Sequence, residues 1–186
     1  LDHFNATWNM ANLGYGMNIS ALDNKMESFV DSSIGLEHSG TRIGIEYSPV
    51  NYWTRAVRGR SAAHIETTRL SFLNFTLYWN MFELRFFDDM FGLYFGPFNK
   101  INYMNLDENH AFRRNEFIYT GGFRAGLVLI VYKNIYYNIL GGQIGYRNIN
   151  GNNTFYAAVS VDFIVYMIVL FSPNDITQVY NGTNRS

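Results

Sequence analysis

The sequence predicts an all-β protein, an eight-stranded antiparallel up-and-down transmembrane β-barrel. Apolar and polar residues alternate with a period of two in several segments, as they do in strands. Aromatic residues make up 18% of the chain, whereas charged residues make up only 16%, less than the roughly 25% of an average soluble domain. The mean hydropathy is nevertheless -0.11, which is too polar for a bundle of membrane helices. Membrane strands with one apolar and one polar face give this combination.

The alternation is clearest in the last predicted strand. Phe155, Val159 and Phe163 lie on one face, and Ser160 and Asp162 lie on the other. Transmembrane helices are an alternative for this apolar run, but its β-branched and aromatic content and its strict period of two favour a strand. The predicted strands cover approximately residues 11–22, 28–38, 41–48, 64–78, 82–95, 116–132, 135–147 and 154–171.

The connections between these strands divide into two kinds. Turn-forming residues predict tight turns at 23–25, 39–40, 79–81 and 133–134. Longer polar connections are predicted at 48–63 and 96–115. Short turns then lie on one rim and long loops on the other, as in outer-membrane barrels. Near Gly141 and Gly142 the apolar face changes parity, which predicts a bulge or a glycine kink. We expect residues 1–171 to form the barrel and residues 172–186 to form a polar tail.

The polar face indicates which side of the sheet faces inward. It is built from Gly, Ser, Asn and Thr with a few charges of both signs, whereas a soluble barrel that binds a ligand would show more Lys and Glu to water. Charges inside a barrel must pair, because a buried unpaired charge is costly. We expect this network to plug the barrel, with a narrow polar path as the alternative. The predicted interior charges are Arg42, Glu46, Glu83, Arg85, Arg124 and Asp162.

Aromatic residues gather near the ends of the predicted strands. Trp and Tyr concentrate at both membrane interfaces of a barrel. The residues that predict such belts are Trp8, Tyr15, Tyr47, Tyr52, Trp53, Tyr78, Trp79, Tyr136, Tyr137, Tyr146 and Phe155.

The long connections hold the residues that we expect to contact a partner. Arginine and aromatic side chains suit the phosphates of lipopolysaccharide or a protein surface. The candidate loop contacts are Tyr52, Trp53, Arg55, Arg58, Arg60, Arg113 and Arg114.

No segment shows a coherent reactive site. Glu37, His38 and Ser39 supply the residue types of a hydrolase triad, but neighbours in a strand point to opposite faces, so they cannot act together. Asp88 and Asp89 offer too few ligands for a cation, and the four histidines have no ligand spacing. We therefore predict no catalytic, cofactor-binding or metal site.

The alternation between residues 11 and 171 resembles that of the small eight-stranded outer-membrane barrels, such as the OmpA transmembrane domain, OmpX and OmpW. The resemblance lies in the architecture and in no family-specific motif. It implies a place in the outer membrane of a Gram-negative bacterium. Many such barrels end in an aromatic residue, as the strand ending at Phe171 does here; the departure is the polar segment Ser172 to Ser186.

We therefore expect a non-enzymatic outer-membrane protein that acts at the cell surface or as a membrane subunit of a larger envelope assembly. An enzyme that modifies lipid A, or a small pore, are the alternatives. The expected partners are membrane lipid, including lipopolysaccharide, and other envelope proteins. A net charge of -1 gives no basic surface for nucleic acid, and no cofactor is expected.

Overall fold

The computed structural model describes residues 4–20, 23–38, 41–58, 63–108, 112–131, 135–149, 152–162 and 166–167. Side chains are described for a smaller set: 30, 32–38, 41–49, 73–103, 117–130, 136–148, 153–162 and 166–167. No helix in this part of the chain has the length and apolar character needed to cross a membrane.

Nine strands account for nearly all of the described residues. The extended backbone directs successive side chains to opposite faces, and glycines and small polar residues occupy much of the inner face. The strands are β1 (Phe4–Ser20), β2 (Asp23–His38), β3 (Ile43–Arg58), β4 (Ala63–Trp79), β5 (Phe82–Phe86), β6 (Phe91–Glu108), β7 (Phe112–Val131), β8 (Ile135–Ile149) and β9 (Asn152–Asp162).

The strands pair as an up-and-down antiparallel sheet. Strand β1 pairs with β2 on one side and with β9 on the other. From β2 the pairing continues through β3 to β4, and from β9 it continues through β8 and β7 to β6. Strand β4 also pairs with β6, from Arg69 opposite Leu106 to Tyr78 opposite Phe98. Following the pairings from β4 around the sheet therefore returns to β4. Because β4 and β5 both pair with β6, they count as one strand of the sheet. The predicted architecture of eight antiparallel strands in sequential order is confirmed.

Strands β4 and β5 together form one broken strand, which corrects a predicted turn. The chain does not reverse at residues 79–81, because β4 and β5 both pair with β6. It reverses at residues 87–90 instead, where Phe87, Asp88 and Asp89 have φ values of 53°, 52° and 64°. Such left-handed residues cost about 1–2 kcal/mol each. The segment carries no glycine to signal this turn.

The predicted long loops are also wrong, because strands occupy most of both segments. Strand β3 continues to Arg58, and strands β6 and β7 extend to Glu108 and from Phe112. Strands β6 and β7 are 18 and 20 residues long, whereas roughly 9–11 residues suffice to cross a bilayer. The sequence of an end that extends past this length need not alternate and therefore resembles that of a loop.

Two further expectations concern the last strands. The bulge predicted near Gly141 is confirmed, because Leu127 pairs with Leu140 whereas Val128 pairs with Asn138, which leaves one extra residue in β8. The described part of the last strand ends at Asp162, and Tyr166 and Met167 are helical, so the predicted strand does not run unbroken to residue 171. The predicted tail at 172–186 lies outside the described residues.

Candidate functional site

The outer face of the sheet is apolar. In β4, Leu73, Phe75, Leu77 and Trp79 are all about half exposed, with Leu77 at 52%. The same face of the other strands carries exposed apolar side chains that include Ile34, Leu36, Ile43, Ile45, Leu84, Leu93, Phe95, Ile101, Phe123, Leu140, Ile144 and Val159. A soluble monomer rarely shows apolar patches of more than a few hundred Å². An apolar surface of this extent suits contact with hydrocarbon rather than with water.

The inner face is polar and buried. In the same strand β4, Asn74, Thr76 and the adjoining Asn80 are almost completely buried. Other buried polar residues are Ser33, Glu37, Ser48, Asn102, Thr120, Arg124, Arg147, Ser160 and Asp162. Polar side chains inside and apolar side chains outside reverse the order of a soluble protein and match a membrane barrel.

Arg124 of β7 lies at the centre of this interior. Its guanidinium carbon is 3.4 Å from the centroid of the Tyr78 ring and 4.8 Å from that of Tyr94. One guanidinium nitrogen lies 3.4 Å from a carboxylate oxygen of Glu46, and another donates to Asn80 at 3.3 Å. The positive charge is therefore held between two aromatic faces and balanced by a carboxylate, which reduces the cost of its burial.

Hydrogen bonds extend this arrangement to a second carboxylate. The side-chain amide of Asn80 donates to Glu37 at 2.8 Å while its oxygen accepts from Arg124. Glu37 itself is only 4% exposed. Asn80 thus joins an acid of β2 to a base of β7 across the interior.

Two glycines make room for the tyrosine rings around Arg124. A Cβ atom on Gly44 would overlap the ring of Tyr78, and a Cβ atom on Gly126 would overlap that of Tyr94. The small residues of the polar face therefore have a specific purpose here. They let the large side chains of the neighbouring strand fill the interior, since Gly44 pairs with Tyr78 and Gly126 pairs with Tyr94.

A second ion pair lies toward the 87–90 turn. The Arg85 Nε atom donates to a Glu83 carboxylate oxygen at 2.8 Å, and a terminal nitrogen of Arg85 donates to the Tyr136 hydroxyl at 2.7 Å. The Glu83 side chain is 9% exposed and that of Arg85 is 34% exposed. This pair thus lies at the end of the interior near the 87–90 turn rather than at its centre.

The six residues predicted as interior charges do not all lie in the interior. It brings Glu46 together with Arg124 and Glu83 together with Arg85. Asp162 is completely buried at the end of β9. Arg42 is wrongly assigned: it is exposed in the turn between β2 and β3, with a φ of 55°, because the strand begins only at Ile43.

Several residues of the interior were not singled out from the sequence. Arg147 is 1% exposed, and its guanidinium carbon lies 4.1 Å from the Tyr156 ring centroid. Tyr78, Phe98 and Ile118 are each no more than 2% exposed within the same apolar cluster as Tyr156. Arg147 has the parity of the inner face, two residues beyond Gly145, and this parity was the available signal.

The interior is largely filled. The cavity beside Arg124 has a volume of about 70 Å³ and is bordered by Glu37, Glu46 and Tyr94, among others. Such a space holds a few water molecules. Within the part of the chain whose side chains are described, it is not a water-filled channel of the kind that large barrels enclose.

The aromatic residues predicted at the membrane interfaces divide between the two faces. Tyr47, Trp79, Tyr146 and Phe155 are exposed on the outer wall. Tyr78 and Tyr136 are buried inside, so their assignment to a belt is wrong. Tyr137 is half-buried, and the side chains of Trp8, Tyr15, Tyr52 and Trp53 lie outside the described set.

The candidate partner contacts lie in strands rather than in loops. Tyr52, Trp53, Arg55 and Arg58 belong to β3, and Arg113 and Arg114 belong to β7. Arg60 lies outside the described residues. The correction follows from the length of these strands. Whether the residues contact a partner stays a prediction.

Glu37, His38 and Ser39, which have the residue types of a hydrolase triad, are not seen to act together. Glu37 accepts a hydrogen bond from Asn80, and His38 Nδ1 lies 3.3 Å from the Thr41 hydroxyl. Ser39 lies outside the described residues. Asp88 and Asp89 are exposed in the 87–90 turn. Among the described residues, no three His, Asp or Glu side chains come together as a metal site.

The likeness of this chain to known proteins is distant. No protein-family model and no curated protein matches the chain. Among solved structures, the chain is similar to the crystal structure of Neisserial surface protein A, at 14% identity and a TM-score of 0.44. The likeness covers 88% of this chain and 98% of that chain. We infer nothing about function from a similarity this low.

Proposed function

We propose that the chain is a β-barrel of a bacterial outer membrane and acts there as a surface protein or as a membrane subunit of a larger envelope assembly. The observation that carries the proposal is the reversed polarity of the sheet, with Phe75 and Leu77 outside and Asn74 and Arg124 inside. Only helices and barrels satisfy their backbone groups in hydrocarbon. Bacterial single-chain barrels have an even number of strands, as this one does.

The filled interior supports a binding protein rather than a pore. Arg124 lies between two tyrosine rings and is paired with Glu46. Phe98 and Ile118, each 1% exposed, occupy the same interior. These side chains narrow the space that an ion could use in the described part of the interior. The surfaces left for a partner are the outer wall and the strand ends beyond the membrane.

The strand ends favour an anionic partner. Arg55 and Arg58 lie near the end of β3, and Arg113 and Arg114 lie at the start of β7, so all four are near the same rim. Arginine pairs well with phosphate. The phosphates of lipopolysaccharide in the outer leaflet are therefore the ligand that we propose for this rim.

The membrane location is tested with purified protein mixed with lipid vesicles. We expect the protein to float with the vesicles after a urea wash and to give no discrete conductance steps in a planar bilayer. Protein that stays monodisperse in buffer without detergent would contradict the membrane location. Regular conductance steps would instead support the alternative of a small pore.

The lipopolysaccharide contact is tested by replacing the four arginines at 55, 58, 113 and 114 with glutamine. We expect weaker binding of purified lipopolysaccharide to the detergent-solubilised protein. Arg42→Gln is the matched control, because Arg42 is exposed at the opposite rim. Equal binding by both variants would remove this part of the proposal, and mass spectrometry of the bound lipid A would reveal any chemical modification.

A further inference from the structure

The turn between β5 and β6 has an unusual backbone. Phe87, Asp88 and Asp89 all have positive φ values, between 52° and 64°. Aspartate tolerates this region, whereas for a bulky residue such as phenylalanine it is a clear outlier. Glycine is the default residue there. Turn formation alone therefore does not explain a phenylalanine at this position.

The turn is firmly connected to the sheet. The amide of Met90 donates to the Phe87 carbonyl at 3.1 Å, and the amide of Ile130 in β7 donates to the Met90 carbonyl at 2.8 Å. The Phe87 ring centroid lies 5.5 Å from that of Phe86 and 6.0 Å from that of Phe91. These contacts hold the ring in place, yet 70% of the residue stays exposed.

The apolar outer wall continues down to this ring and then stops. Phe82 and Leu84 of β5 are each 52% exposed, and Leu93 of β6 is 43% exposed. Phe87 follows at the tip, and the next two residues are the exposed Asp88 and Asp89. The surface thus changes from apolar to acidic within one or two residues.

We propose that this tip is an anchor at the membrane interface, in which the Phe87 ring enters the hydrocarbon boundary and the two aspartates remain in water. Membrane barrels carry girdles of aromatic residues in this zone, whereas a carboxylate moved into hydrocarbon loses its hydration. The tip would then set how deeply this side of the barrel sits in the bilayer. The inference rests on the membrane location proposed above.

The absence of cysteine from the sequence allows a clean test with single labels. Phe87→Cys and the matched control Asp89→Cys are labelled with the fluorophore NBD and placed in phosphatidylcholine vesicles. Only protein that floats with the vesicles is measured. We expect blue-shifted emission and strong quenching by doxyl lipid at position 87, and strong quenching by iodide at position 89.

Three outcomes overturn the anchor. The label at 87 could be quenched by iodide as strongly as the label at 89, which would place the tip in water. It could be protected from both quenchers, which would place it against protein. The third outcome uses a label at Leu93→Cys, whose depth is measured by doxyl-lipid quenching with and without Phe87→Ser. Loss of the anchor should change this depth, so an unchanged depth would overturn the anchor. Failure to float refutes the membrane location instead.

Discussion

Replacement of Arg124 by methionine removes the charge at the centre of the interior while keeping much of the side-chain volume. Arg124 is 8% exposed, and its ion-pair partner Glu46 has a side chain that is 15% exposed. Breaking a buried pair by removing one partner costs about 3–5 kcal/mol, because the other charge is left uncompensated. The lost contacts with Tyr78 and Tyr94 add up to about 2 kcal/mol where the cation is desolvated. Together these losses lead us to expect that Arg124→Met lowers the free energy of unfolding by about 3–7 kcal/mol.

The assay is equilibrium unfolding by urea in lipid vesicles, followed by the fluorescence of the three tryptophans. Arg42→Met is the matched control, since the same change at an exposed turn should stay within about 0.5 kcal/mol. Adding Glu46→Gln to Arg124→Met should recover part of the loss, with a coupling energy of about 0.5–3 kcal/mol. The ion pair would be refuted as a stabilising feature if Arg124→Met cost less than about 1 kcal/mol. Equal losses for the two methionine variants would lead to the same conclusion.

Three further predictions use matched variants and the same unfolding assay. Gly44→Ala should cost about 1–3 kcal/mol because its Cβ would overlap the Tyr78 ring. Gly142→Ala should cost nothing, because no atom lies within 4 Å of the added Cβ, and equal costs for the two variants would contradict the packing. Asn102→Leu should be close to neutral, because neither amide atom has a hydrogen-bond partner among the described residues. Asn74→Leu loses the 2.9 Å hydrogen bond to the Ser48 carbonyl and should cost about 0.5–1.5 kcal/mol. A larger loss at Asn102 than at Asn74 would contradict this difference. Phe75→Arg should cost about 2–4 kcal/mol if the residue faces the middle of the bilayer, and Phe75→Leu less than about 1.5 kcal/mol; a neutral arginine would place this face in water.

Alternation was sufficient to predict the architecture but not every reversal of the chain. Parity depends only on near neighbours, so the inner and outer faces of residues such as Leu77 and Asn74 follow directly from the sequence. The segment 79–81 looked like a turn because of its asparagine, yet Asn80 is used for side-chain bonds inside the barrel. The true turn contains Phe87 and two aspartates in a backbone conformation that glycine usually signals.

The content of the interior was only partly predictable. Small and charged residues were assigned inward because they share the polar parity, and Arg124 and Glu46 were among them. Tyr78 was placed in an interfacial belt, because a tyrosine near a strand end gives no local sign of facing inward. Its position depends on Gly44 across the β3–β4 pairing and on Arg124 across the barrel. Such relations join distant parts of the chain and cannot be derived from spacing.

The direct test of the reversed polarity is a scan of single spin labels along strand β4 from Leu73 to Trp79 in vesicles. Oxygen, which dissolves in hydrocarbon, reports which labels face lipid. We expect high oxygen accessibility at 73, 75, 77 and 79, and low accessibility at 74, 76 and 78. The opposite phase, with the even positions exposed to a water-soluble nickel complex and the odd positions shielded, would mean that the apolar side chains form the core of a soluble barrel.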